Sequence, residues 1–207
     1  MRPTYPHIVA RAWQIIAALC ISISLSAENF SADSTLLAAY QRKDMSVWRE
    51  YVSSFSNDRR LTTKDLLYEY GYCGYVVDRD KANALPYVKR FRSMVEAAKN
   101  HLPAGHYHMY MSAVYVYELR LHESIHPVKA MNLAKEAVKL APEDPLILAY
   151  YGTCLFYAPS PFGSKKEALI WFERAKTRFK GEDYRFCWVR EATEMYIEQC
   201  YEKLKKQ

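Results

Sequence analysis

Residues 129–145 read KAMNLAKEAVKLAPEDP. Ala130, Ala134 and Ala137 recur at helical spacing on one side of the segment, its charged residues fall mainly on the other, and Pro142 cannot continue the helix. Alanines along one face leave no bulk between this helix and whatever packs on it, so the stretch reads as one member of a closely crossing helix pair. The same offsets return in KKEALIWFERAKTRF (165–179) as Ala168, Phe172 and Ala175, and more weakly in KANALPYVKRF (81–91) as Ala84, Val88 and Phe91. A pattern that returns along the chain marks a repeat architecture, because a single helix pair cannot cover its own apolar face.

An aromatic-rich segment precedes each copy and supplies the first helix of its pair. PLILAYYGTCLFY (145–157) places Leu148, Tyr151, Gly152 and Leu155 at the large-large-Gly-large spacing of tetratricopeptide repeats, with Gly152 at the closest crossing. DLLYEYGYCGYVV (65–77) repeats the arrangement with Leu67, Tyr70 and Gly71; MYMSAVYVYELRL (109–121) has the apolar spacing but Glu118 in the glycine place. The intervals from Ala84 to Ala130 and from Ala130 to Ala168 exceed the usual repeat of about 34 residues, which predicts insertions at Asn100 to Gly105 and at Ala158 to Ser164. Ser34 to Arg42 and Asp44 to Phe55 read as one further pair, and Tyr184 to Lys205 as a solvent-facing terminal cap. The predicted fold is all-α, an α-α superhelix of tetratricopeptide-like helical repeats over residues 27–207.

Composition supports that class. Half of the 207 residues are hydrophobic and 25% are charged, enough to bury a full core, and only six glycines are present, too few for a turn-dense strand layout. Residues 1–26 read as a signal peptide: Arg2 and Arg11 give a basic start, Trp13 to Leu25 is mostly apolar, and Ser24 and Ser26 are the small residues before a cleavage point near Ala27. The apolar run falls short of the roughly 20 residues that span a bilayer, and Leu19 before Cys20 is too large for a lipidation signal. Export into the periplasm or beyond is therefore expected, with no stable membrane span.

Cleavage removes two arginines and no acids, so the formal charge falls from +6 to +4. The remaining cations alternate with acids along the helices instead of forming one patch, which argues against nucleic acid as a partner. Four cysteines remain, Cys73, Cys154, Cys187 and Cys200. They match no metal knuckle or redox pair, and buried free thiols stand against a Cys187 to Cys200 bridge as the sharper alternative.

The stretch from about Leu67 to Tyr201 resembles the tetratricopeptide-repeat proteins exported by Bacteroidetes, many of which carry a phrase like YxxPxxFGGxxxxAxxxFxxA. Here it stands as FYAPSPFGSKKEALIWFERA (156–175), with Ser164 in place of the second glycine, and Trp188 after the last repeat also resembles that group. The resemblance implies fold and export, and very little about activity.

Few residues carry chemistry. HESIH (122–126) matches the zinc-peptidase pattern H-E-x-x-H, in which two histidines one helical turn apart hold zinc and the glutamate activates water. A zinc-dependent hydrolase using His122, Glu123 and His126 is thus the alternative reading, but Pro127 directly after His126 disfavours the continuous helix it needs. His101, His106 and His108 crowd around Gly105 without a ligand-spaced cysteine or carboxylate pair, and nucleophile elbows, phosphate loops and dinucleotide fingerprints are absent. No metal and no cofactor is expected, and the chain reads as a binding scaffold, not an enzyme.

The predicted binding surface is the concave face of the stack. The repeat register turns Tyr68, Tyr72, Tyr75, Tyr115, Leu119, Tyr150 and Phe156 toward it, and none of these is basic. Grooves that clamp a terminal carboxylate need lysine, arginine and asparagine, so an aromatic face predicts an apolar partner: a peptide, a protein surface or an apolar small molecule. The alternative is that another helix of the same chain fills the groove.

Overall fold

A computed structural model describes residues 32–55, 60–123 and 126–205. The expected signal peptide, residues 1–26, lies outside them. The described residues form nine α-helices: α1 (32–41), α2 (Ser46–Ser53), α3 (Thr63–Arg79), α4 (Leu85–Ala98), α5 (Ala104–Leu121), α6 (Pro127–Leu140), α7 (Pro145–Tyr157), α8 (Lys165–Arg178) and α9 (Trp188–Leu204). No strand occurs among them, and no helix is long and apolar enough to cross a membrane. The fold is an all-α helical stack, as the alanine offsets predict.

Helix ends follow local sequence. Thr62 and Asp65 form a reciprocal capping box on α3, the Asp144 carboxylate accepts from the Leu146 and Ile147 amides at 2.9 and 3.3 Å to open α7, and Ser164 Oγ accepts from the Glu167 amide at 3.1 Å to open α8. Ser164 therefore contributes a cap that the glycine of the related phrase cannot supply. Gly163 before it is required by space: a Cβ there would lie 2.4 Å from the Leu155 carbonyl oxygen at the end of α7. The loop expected at Ala158 to Ser164 is present between α7 and α8. The other expected insertion is shorter than predicted, because Gly105 belongs to the first turn of α5.

Short connections make successive helices antiparallel neighbours: α3 packs on α4, α5 on α6 and α7 on α8, while α5 also packs on both α3 and α7. The small residues sit at the crossings as predicted. Ala130, Ala134, Ala137, Ala168 and Ala175 are buried, and a Cβ on Gly152 would lie 2.8 Å from the Phe172 ring of α8. Helix α7 is apolar almost all round, and ten of its 13 residues are buried.

Two register assignments are corrected. In the α5–α6 pair the close approach falls at Gly105, against Ala137 and Ala141, and at Ser112, whose hydroxyl donates to the Ala130 carbonyl at 2.7 Å. Glu118, placed by spacing at the crossing, instead forks onto the Arg92 guanidinium at 2.7 and 2.8 Å. Gly71 in turn fits Trp48 and Trp188, not α4: a Cβ there would lie 2.6 and 2.8 Å from their rings.

The last helix is also more than a cap. Its buried face, including Val189, Ala192, Thr193 and Ile197, folds against α7 and α8, and Trp188 reaches back to α1 and α3. Periodicity identifies the buried face of α9 but not its partner: the solvent-facing cap is corrected, and α9 is the helix of the same chain that the alternative reading places over the groove.

Candidate functional site

Helix α9 covers a cavity of about 100 Å³ on the side where α3, α5 and α7 meet. Its floor is Leu67 and Tyr70 of α3, Met109 of α5, and Ala149, Tyr150 and Thr153 of α7; its cover is Trp188, Ala192, Thr193, Met195 and Tyr196 of α9. Tyr70 is the hub, lying 6.0 Å from the stacked Tyr117 ring, 6.0 Å edge-on to Tyr150 and 5.9 Å from Trp188. Offset and edge-on contacts at these distances suit ring quadrupoles, so the aromatics hold each other as well as the wall.

Three of the wall's hydroxyls are engaged away from the cavity. Tyr150 donates to Ser112 Oγ at 2.8 Å, Thr153 to the Ala149 carbonyl at 3.0 Å and Thr193 to the Val189 carbonyl at 2.7 Å. Tyr110 and Tyr117, behind the floor, donate to the Thr63 and Tyr70 carbonyls at 2.9 and 3.0 Å. Burial pushes the Tyr70 and Tyr150 hydroxyls well above the ordinary tyrosine range, so they stay protonated. Trp188 Nε1 is buried with no acceptor among the described residues.

The seven residues predicted for the groove are scattered, and only Tyr150 lines this cavity. Tyr68 is buried against Trp48 and Tyr51, each 5.2 Å away, with its hydroxyl on Asp33 at 3.1 Å. Tyr72 is buried edge-on to Tyr87 of α4, and Tyr75 is exposed. Tyr115 is half-buried between the Arg92 guanidinium at 4.9 Å and the Lys129 ammonium at 4.6 Å; Leu119 is half-buried further along α5. Phe156 is buried 5.2 Å from Tyr196, adjoining the cavity without lining it. Sequence reasoning missed Tyr70, Trp188 and Tyr196. The repeat spacing gives Tyr70 a packing position, and the family resemblance singles out Trp188 without assigning it to a site.

The zinc reading fails on geometry. His122 ends α5 with a left-handed backbone at φ 65°, its Nε2 is 3.3 Å from Lys81 Nζ, and His126 sits at the start of α6. The two histidines therefore belong to the ends of two different helices and do not share the helical face that the motif requires. His101, His106 and His108 diverge onto the Leu61 carbonyl, the Asp144 carboxylate and the Ala104 carbonyl. Burial opposes the charge on Asp144, but the His106 hydrogen bond at 2.6 Å and the two capped amides outweigh it and hold its carboxyl below the usual value. A wider, open depression of about 650 Å³ beside the start of α6 has a mixed wall including His108, Lys129 and Glu136. No group of three potential metal ligands occurs among the described residues.

All four described cysteines are free thiols. The Cys187 to Cys200 bridge is ruled out, since Cys187 caps α9 and Cys200 lies 13 residues on along the same helix, about 20 Å away along its axis. Burial raises the Cys154 thiol to about 12 and the Cys187 thiol to about 11, so neither is a nucleophile at neutral pH.

No family model matches the chain, and no curated protein resembles it in sequence. Among solved structures it is similar in fold to the HusA haemophore from Porphyromonas gingivalis, with a TM-score of 0.58 and 15% sequence identity over 84% of this chain and 85% of that one.

Proposed function

We propose that the chain is an exported, tetratricopeptide-like helical protein that binds a flat, apolar ligand, such as a haem-type tetrapyrrole, in the aromatic cavity beneath α9. The observation that carries this reading is the cavity wall: Tyr70, Tyr150, Trp188 and Tyr196 turn rings inward, while the Tyr150, Thr153 and Thr193 hydroxyls are engaged elsewhere. A small-molecule site needs an apolar wall with few polar groups, and the fold shared with a haemophore points to the same ligand class. Of the three partner classes expected from sequence, the covered cavity favours the small molecule over an extended peptide or a protein surface.

The cavity of about 100 Å³ is smaller than the roughly 300–1,000 Å³ of drug-sized sites, so entry requires α9 to swing outward. The α8–α9 connection contains Gly181 at φ 91°, with nothing within 4 Å of the position a Cβ would take, which leaves room for that rotation.

Titration of the chain with haem, followed by absorption and by quenching of tryptophan fluorescence, tests the reading. Saturable one-to-one binding is expected, lost by more than about tenfold in Ala149→Leu, which fills the cavity from its floor. Absence of saturation, or indifference to Ala149→Leu, overturns it. Intact mass of chain secreted by a bacterial host tests export separately: the mature chain should begin near Ala27, and a chain retaining residues 1–26 contradicts it.

A further inference from the structure

We infer that Lys165 and Lys203 form an anion-recognition site at the rim of the aromatic cavity, so that the ligand is an aromatic compound bearing a carboxylate or comparable acid group. This deepens the cavity reading above and rests on it. Lys165 Nζ lies 4.0 Å and Lys203 Nζ 5.1 Å from the Phe156 ring centroid, and Lys165 also donates to the Phe156 carbonyl. Both ammonium groups thus lie over the same Phe156 ring, near enough to repel each other, and neither forms an ion pair with an acid among the described residues. Partial burial and the repulsion of Lys203 both lower the Lys165 pKa, the cost of an unneutralised pair. An anionic oxygen placed at the pair supplies the missing counter-charge through charge-assisted hydrogen bonds.

The pair is within reach of the cavity. Phe156 packs 5.2 Å from Tyr196, which walls the cavity, and Lys203 follows Tyr196 by seven residues, two turns on the same side of α9 and about 10 Å along its axis. Met195, 43% exposed, marks the outer lip beside Tyr196. Every residue lining the cavity is uncharged. A flat ligand entering under α9 with its apolar body on Tyr70 and Tyr150 can therefore leave an acidic end directed along α9 toward Lys203 and Lys165.

Two fluorescent probes with one aromatic skeleton test this: 8-anilinonaphthalene-1-sulfonate and its neutral counterpart N-phenyl-1-naphthylamine. Both are titrated into the wild-type chain, Lys165→Met/Lys203→Met, Lys165→Arg/Lys203→Arg and Ala149→Leu, with melting temperature as the folding control. The expected result is that the methionine pair weakens the sulfonate by roughly fivefold or more and leaves the neutral probe unchanged, that the arginine pair keeps the preference, and that added salt erodes it. If Ala149→Leu weakens both probes but the methionine pair changes neither, the lysines are a solvated pair only; the anion site is then overturned and the cavity reading stands. If neither probe responds to Ala149→Leu, the cavity reading falls and this inference falls with it.

Discussion

The Tyr150 hydroxyl donates to Ser112 Oγ across 2.8 Å, and the Ser112 hydroxyl donates in turn to the Ala130 carbonyl at 2.7 Å, so one serine ties α7 to α5 and α6 beside the cavity floor. Ser112 is fully buried, and removing its hydroxyl leaves the Tyr150 proton without an acceptor. Ser112→Ala should cost about 1–3 kcal/mol in chemical denaturation. A cost near zero would mean that Tyr150 finds another acceptor and that this link does not organise the floor.

Tyr150 and Tyr115, both predicted from sequence to line the groove, should now behave differently. Tyr150 is buried among rings, and Tyr150→Ala should destabilise by about 3–5 kcal/mol through cavity formation. Tyr115 is half-buried between two cations, and Tyr115→Ala should cost roughly 1 kcal/mol. Equal losses would contradict the placement of the two side chains.

Gly152 and Gly71 test the helix crossings. Gly152→Leu drives a side chain into the Phe172 ring and should destabilise by roughly 1–3 kcal/mol. Gly71→Ala meets both Trp48 and Trp188 and should lower the melting temperature while changing Trp fluorescence, since α9 must lift to accept the methyl. An unchanged emission spectrum would place Trp188 elsewhere.

Glu69 supplies a pH dependence. Its side chain is fully buried in α3; burial raises its carboxyl from 4.5 to about 7, and Arg90 Nη2 at 3.3 Å offsets only part of that rise. Neither carboxylate oxygen accepts a well-aligned hydrogen bond, so the contact is Coulombic and long. Because the folded value lies above the unfolded one, the contribution of Glu69 is fully present below about pH 4.5 and is lost as pH rises through about 7. Wild type should lose on the order of 3 kcal/mol relative to Glu69→Gln across that window. Parallel stability curves for the two proteins between pH 4.5 and 8 would falsify this.

Much of the stack was legible because close helix approach is a local steric demand that only small residues meet: Ala134, Ala137, Gly152, Ala168 and Ala175 all lie where their spacing put them. The α5 register was not, because the segment has several apolar faces, and spacing cannot distinguish Gly105 and Ser112 from Glu118 as the point of contact. The cavity was legible only through Tyr150. Its other walls come from helices far apart in sequence, and which rings of α3 meet α9 depends on where the chain returns after Gly181, a long-range choice that no local pattern encodes.

That return has a consequence for how the molecule unfolds. In an open solenoid each repeat touches only its neighbours, so stability is a sum of local terms and the ends can fray independently. Here Trp188 lies 5.6 Å from Tyr40 of α1, 5.5 Å from Trp48 of α2 and 5.9 Å from Tyr70 of α3, joining the last helix to the first three. Helix α9 and helices α1 to α3 cannot open separately without parting that indole from its neighbours, so the array should melt as one cooperative unit, and Trp188→Ala should turn a single thermal transition into a broad or stepwise one.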